Sequence, residues 1–226
     1  MGWEGFNLGL MEGADFSIKA KHLVLEVFDQ ANEGLSRGFK TYSEATNKQI
    51  SEAYKMGDVA AGDIMSQEKY WESGLHQQRL ASIGVLALDW LMSSLKGALQ
   101  GASNYLNASH PGKGPYKGDG WLAKLQGEYY ERFGIDFTRG PVDVCHIQEL
   151  VLARNAGIHR DLEGPLEEYL AKVNRPSFIE SGEDGKEFVF VTRNALVAII
   201  DDAEKFVDWV VSEIEKLRPE NAPQKA

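Results

Sequence analysis

Three side chains in the run ELVLARNAGIHRDL are placed to do chemistry together: Arg154, Asn155 and His159. Histidine is the side chain whose ordinary pKa permits proton transfer near neutrality. Arginine stays charged at any relevant pH and presents a fork that matches a phosphate or a carboxylate. Asn155 and His159 are four apart and share one face of a helix, and Arg154 is long enough to reach the same surface. The cluster therefore combines an acid/base group, an anion-binding cation and an orienting amide. Its setting strengthens the signal. Between Val142 and His159, apolar side chains recur at Val144, Ile147, Val151 and Ile158, at helical spacing. The slot missing from that series is Arg154, and a guanidinium in a helix-packing seam is costly unless something pairs with it.

The elements that must position this cluster are helical. Residues 16–108 read as two long antiparallel helices broken at Gly57-Asp58. The first carries a stripe of Leu25, Phe28, Leu35, Phe39 and Tyr42. The second carries Ile64, Trp71, Leu75, Ile83, Leu86, Trp90 and Leu95, with Trp71 and Trp90 assigned to the core. Long helices joined by a short turn must lie against one another. Residues 109–120 form a glycine-rich loop, whose GKGPYKGDG does not meet the phosphate-cradling pattern and reads as a basic surface loop. Trp121 to Phe133 is a short helix ending at Gly134. Gly140-Pro141 opens the motif helix, about 141–160, and Gly164-Pro165 separates it from a short helix, Leu166 to Val173. Phe178-Ile179 and Phe188 to Val191 form a hairpin within 177–191 around an Asp-Gly turn. The last helix, 193–217, is capped by Thr192 and turns Leu196, Ile199 or Ile200, Phe206, Val210 and Ile214 inward. A disordered tail, 218–226, follows. The expected fold is mainly α, a single domain over 1–217: a helical bundle with two long antiparallel helices and one small β-hairpin before the C-terminal helix.

Arg154, Asn155 and His159, late in an apolar helix that follows long helices and precedes a hairpin and a last amphipathic helix, resemble the motif of the HEPN superfamily of prokaryotic helical domains. That motif is Arg, a polar residue, three variable residues and His, and the three positions match one for one. The resemblance is best from about Gly140 to Leu217 and only architectural before that. It implies a metal-independent endoribonuclease, commonly a toxin or antiviral-defence effector, whose composite site forms when two copies of the motif helix meet in a homodimer. Cutting RNA without a metal requires removing a proton from the ribose 2′ hydroxyl, stabilising a charged phosphorane and protonating the leaving 5′ oxygen. His159 suits the acid/base role, Arg154 the stabilisation of charge, and Asn155 the orientation of its neighbours. One copy supplies one histidine, and a dimer axis supplies the second. Two structural readings compete with this one. His159 in the last turn of a helix can simply cap free carbonyls, and Arg154 can pair with a carboxylate on a neighbouring helix.

Composition bounds the alternatives. The 226 residues are 43% hydrophobic and 26% charged, the proportions of an ordinary globular chain. The apolar runs are short and interrupted, which predicts no membrane span, and the N-terminal MGWEGFNLGLMEGADF lacks the form of a secretory signal. A single cysteine, Cys145, fits a reducing cytoplasm and reads as a buried structural thiol. The net charge of −10 opposes general binding to a polyanion. RNA contact must then be local, through Arg160, Arg139 and the loop residues Lys113, Tyr116 and Lys117. His22, His76 and His110 are scattered without ligand spacing, so no metal or other cofactor is expected. Glu167-Glu168 and Asp201-Asp202 read as solvated helix faces. Two further functions remain open: a catalytically silent helical domain that binds RNA or a nucleotide, and an acidic helical regulatory partner of another defence protein; the resemblance also admits an antitoxin or other defence-system protein as a partner of this chain.

Overall fold

Gly57 turns the chain between two helices of 52 and 51 residues, α1 (Glu4–Lys55) and α2 (Val59–Ser109). Its φ of +80° lies in the left-handed region, which a residue without a Cβ enters at little cost. The Gly57 and Asp58 amides bond back to Tyr54 and Ala53 carbonyls, and the Asp58 carboxylate accepts from the Ala61 amide, capping α2. A computed structural model describes residues 4–109, 116–160, 162–182 and 185–217, with side chains placed for 22–104, 116–160, 162, 164–182 and 185–217. The expected contact Lys113, with His110, and the expected disordered tail 218–226 lie outside the described residues.

After the hairpin come α3 (Gly120–Phe133), a 3-10 turn at Phe137–Arg139, α4 (Val144–Ile158), α5 (Glu163–Lys172), strands β1 (Ile179–Ser181) and β2 (Glu187–Val189), and α6 (Arg193–Lys216). The fold is mainly α, with one two-stranded antiparallel sheet before the C-terminal helix, in register Ile179 to Val189. Thr192 caps α6 as expected, its hydroxyl accepting from the Ala195 amide at 3.2 Å. The inward face of α6 is Leu196, Ile199, Ile200, Phe206, Val210 and Ile214, all buried. Gly164 and Pro165 do not separate α4 from α5 but lie in the first turn of α5. A proline is tolerated there because the amide it lacks would have no helical partner.

The core lies around the C-terminal half of α2, where Val85, Leu88, Leu91, Leu95 and Leu99 are buried beneath the shorter elements. Phe137 sits at its centre, ring centroids 5.0 Å from Tyr129 and 5.1 Å from Phe206. Val24 and Phe28 bring α1 into this core, and Arg193 at the start of α6 forks onto Asp29 of α1, with Nε to Oδ1 at 2.7 Å and Nη2 to Oδ2 at 2.9 Å. By length and composition α2 is apolar enough to cross a bilayer, and 44% of its most apolar window is buried inside the fold.

Beyond this core the hairpin continues as two helices that, among the described residues, pack chiefly against each other, and here the expected stripe fails. Trp71 is not core: it is 65% exposed, and Ile64, Leu75 and Leu86 are exposed as well. Trp90 is half-buried against the core, and in α1 Leu35 and Phe39 are half-buried while Tyr42 is exposed. Two helices share a single seam, and small residues fill it: Thr46 and Ala53 are buried, and Gly62 lies so close to the Tyr54 ring that a Cβ would stand 2.7 Å from it. Large apolar residues are left to flank the seam, because a third layer would be needed to cover them.

Candidate functional site

Helix α4 starts three residues later than its proline suggests, because Asp143 caps it by accepting the Cys145 amide at 2.8 Å. Gly140 and Pro141 belong to the link from the preceding 3-10 turn. The helix ends at Ile158, and His159 is its C-cap residue, donating its backbone amide to the Asn155 carbonyl at 3.1 Å. The buried face of α4 is Ile147, Glu149, Leu150, Ala153 and Ala156, whereas Val144, Val151 and Ile158 are half-buried. Arg154 is therefore not a gap in the seam. It stands at the seam's edge, its side chain 31% exposed.

Helices α2 and α4 run antiparallel along three paired positions. Arg154 meets Asp89, Gly157 meets Val85, and Arg160 donates to the Ser82 hydroxyl at 2.9 Å. The guanidinium of Arg154 reaches one oxygen of Asp89 with both Nε (2.6 Å) and Nη2 (2.5 Å), and donates from Nη1 to the Asn155 amide oxygen at 2.9 Å. Of the two competing structural roles, the pairing of Arg154 with a carboxylate on a neighbouring helix is present. Asn155 orients the guanidinium rather than the imidazole. His159 is exposed one turn beyond Asn155, and its ring has no partner among the described residues. Arg154, Asn155 and Asp89 thus form one hydrogen-bonded polar set, with the exposed His159 four residues beyond Asn155.

Gly157 makes this register possible. A Cβ there would lie 2.5 Å and 2.8 Å from the two γ carbons of Val85, and Val85 is both buried and held by β-branching to one favoured rotamer. Gly157→Ala should destabilise the fold by about 1–2 kcal/mol, the overpacking cost exceeding the helix propensity regained. Urea unfolding measures this, and an unchanged or raised midpoint would show that the contact is not tight.

The other expected RNA contacts do not converge on Arg154. Arg139 is exposed, 3.7 Å from Asp136, in the turn before the opposite end of α4. Tyr116 is half-buried near Gly127 of α3, and Lys117 is exposed beside it. Only Arg160, two pairs further along the contact with α2 and just past the end of α4, is close.

A second polar cluster occupies the other end of α4. Glu149 is 9% exposed, and its Oε1 accepts from the Tyr169 hydroxyl at 3.0 Å and the Ser177 amide at 2.7 Å. His146 lies between Glu149 Oε2 (3.8 Å) and Asp202 Oδ2 (3.9 Å). Asp202 is thus half-buried and faces α4 rather than open solvent. Burial pushes the Tyr169 phenol well above its ordinary value, and the Glu149 carboxylate adds to the shift, so the phenol stays a donor. Cys145 is not buried but exposed, since the inward positions of this turn are 147, 149 and 150. Among the described residues no group of three His, Cys, Asp or Glu side chains is arranged to hold a metal ion.

No family model, curated protein or solved structure matches this chain. The chemistry available at the α4 terminus is that of its own residues. It is a fixed cation able to receive an anionic oxygen, next to an exposed group able to move a proton.

Proposed function

We propose that this chain is a metal-independent endoribonuclease of the HEPN type, acting in the cytoplasm as a homodimer through the motif helix, as a toxin or antiviral-defence effector. The observation that carries the reading is that Arg154 is held half-exposed by Asp89 and Asn155 with His159 free in solvent one turn away. A cation fixed before substrate arrives stabilises developing negative charge without reorganisation, and an exposed imidazole is available for proton transfer. The complementary histidine would come from the second copy. The chemistry demands 2′,3′-cyclic phosphate and 5′ hydroxyl ends. Incubating cellular RNA with the purified chain in EDTA and mapping the cut ends should give those products, whereas 5′ phosphate ends would rule the mechanism out.

A catalytically silent domain that binds RNA or a nucleotide is the second reading, because the Asp89 carboxylate takes up the Arg154 fork that would otherwise stabilise transition-state charge. Binding without cleavage in the same preparation would select it.

A further inference from the structure

Helix α4 packs on one face of α2 at Asp89, Val85 and Ser82 and stops there, where the chain past Arg160 turns into α5. The same face of α2 continues, at steps of three and four residues, through Gln78, Leu75, Trp71, Gln67 and Ile64. All five are exposed, Trp71 at 65% and Ile64 at 58%. At 1.5 Å per residue, about 21 Å of helix face is left open in line with α4. We propose that this face is the docking site of a basic amphipathic helix supplied by another protein. The inference is independent of the ribonuclease reading and goes beyond it.

The shape of the face calls for a helix. Its continuation toward the core already accepts one, α4, and Gly74 on its flank leaves open space where a side chain would stand. The apolar members, Ile64, Trp71 and Leu75, recur at steps of seven and four, a stripe that the stripe of a facing helix can match. Gln67 and Gln78 complete the face. They favour a partner with polar groups of its own over an acyl chain, whose contact would leave their amides without hydrogen bonds.

The charge of the partner follows from the hollow beside Trp71. Among the described residues, Tyr42 of α1 and Glu68, Trp71 and Glu72 of α2 line an open hollow of about 510 Å3. Glu68 is exposed and has no ion pair or hydrogen bond among the described residues, while Glu72 reaches Arg79 at 3.5 Å. The lysines at this level of the hairpin are engaged elsewhere: Lys69 donates to Asn47, and Lys40 and Lys48 lie 4.0 Å from Glu44 and Glu52. An arginine or lysine entering the hollow finds two rings and two carboxylates, and both kinds of group attract a cation. A second copy of this chain fits worse. Two copies meeting antiparallel about a twofold axis near Trp71 would set Glu68 and Glu72 of one beside those of the other, and like charges repel there. An anionic membrane surface is repelled by the same carboxylates and by the net charge of −10.

The test is fluorescence anisotropy on the full chain with a labelled synthetic peptide of leucine, alanine and arginine, about four helical turns long, leucine on one face and arginine on both flanks. Its controls are a scrambled peptide of the same composition and a version with glutamate in place of arginine. The parent should bind the basic amphipathic peptide at least about tenfold more tightly than either control. Trp71→Ala should weaken that binding at least about tenfold, as loss of an aromatic anchor does. Glu68→Gln combined with Glu72→Gln should weaken it by a similar factor and flatten its dependence on salt. Because Trp71 is exposed, circular dichroism of Trp71→Ala should match the parent. Binding that does not distinguish the three peptides, or that survives both sets of substitutions, overturns the docking site. A dimer of this chain that Trp71→Ala dissociates, read by sedimentation equilibrium, overturns it in favour of a second copy. Cleavage of cellular RNA in EDTA should be the same for the parent and Trp71→Ala, so the ribonuclease reading is judged by its own result.

Discussion

His159→Ala should reduce RNA cleavage in EDTA at least about 100-fold while leaving the unfolding midpoint where it is. Positioned acid/base groups contribute on the order of 10²–10⁴ in rate. The His159 ring has no partner among the described residues and is exposed, so its truncation removes no packing. Its backbone amide, which caps α4 on the Asn155 carbonyl, is untouched by the substitution. A histidine that only steadies the helix end through its charge predicts something different: a small loss of stability that depends on protonation and no change in rate. Arg154→Lys sharpens the contrast. Lysine keeps the charge but loses the fork that spans Asp89 and Asn155 at once, so cleavage should fall with little change in stability. Full activity in His159→Ala would sink the proposed mechanism outright.

Helix number, order and most boundaries were legible because they depend on short-range chemistry. Gly57-Asp58 marks the hairpin turn, Gly134 the end of α3 and Thr192 the start of α6, each by a local rule about φ or an unpaired amide. The inward face of α6 was legible too, since that helix buries large side chains on one side and polar ones on the other. What was not legible was which face of α2 and α4 is covered. Hydrophobic periodicity weights large side chains, yet α4 approaches α2 through Ala153, Ala156 and Gly157, whose smallness permits the contact. Val144, Val151 and Ile158 then flank the seam instead of filling it, which is how Arg154 took the appearance of a buried cation. The outer hairpin repeats the lesson, with Ala53 and Gly62 inside and Trp71 outside.

The candidate site was half legible. Arg154, Asn155 and His159 stand together at the end of α4, as their spacing requires. Asp89 was missed although its signal is present: it is the lone carboxylate in the apolar run IGVLALDWLM, as Arg154 is the lone cation in ELVLARNAGI. Isolated opposite charges in two core helices are each costly without the other, so the pair was inferable from composition. The distance of Arg139, Tyr116 and Lys117 from Arg154 was not, because it depends on how α3 and α4 are stacked.

Glu149→Ala should destabilise the fold by about 3 kcal/mol, read by urea unfolding. The carboxylate accepts the Tyr169 hydroxyl and the Ser177 amide, and the Ser177 hydroxyl lies 3.4 Å from its other oxygen. Removing it strands buried donors from α5 and from the link into β1, and an unsatisfied buried donor costs more than the bond was worth. Tyr169→Phe removes a donor instead and should cost only about 1 kcal/mol, since Glu149 keeps the Ser177 amide. In the double variant the two losses should fall short of their sum, because one hydrogen bond is counted in both. Glu149→Gln keeps an acceptor oxygen and should recover much of the stability, although His146 then faces a neutral amide in place of a carboxylate. A Glu149→Ala variant that unfolds within about 1 kcal/mol of the parent would mean that water replaces the carboxylate and that the cluster is wet. Glu149 thus ties α5 and the link into β1 to the middle of α4, whereas the Arg154–Asp89 pair is held from α2.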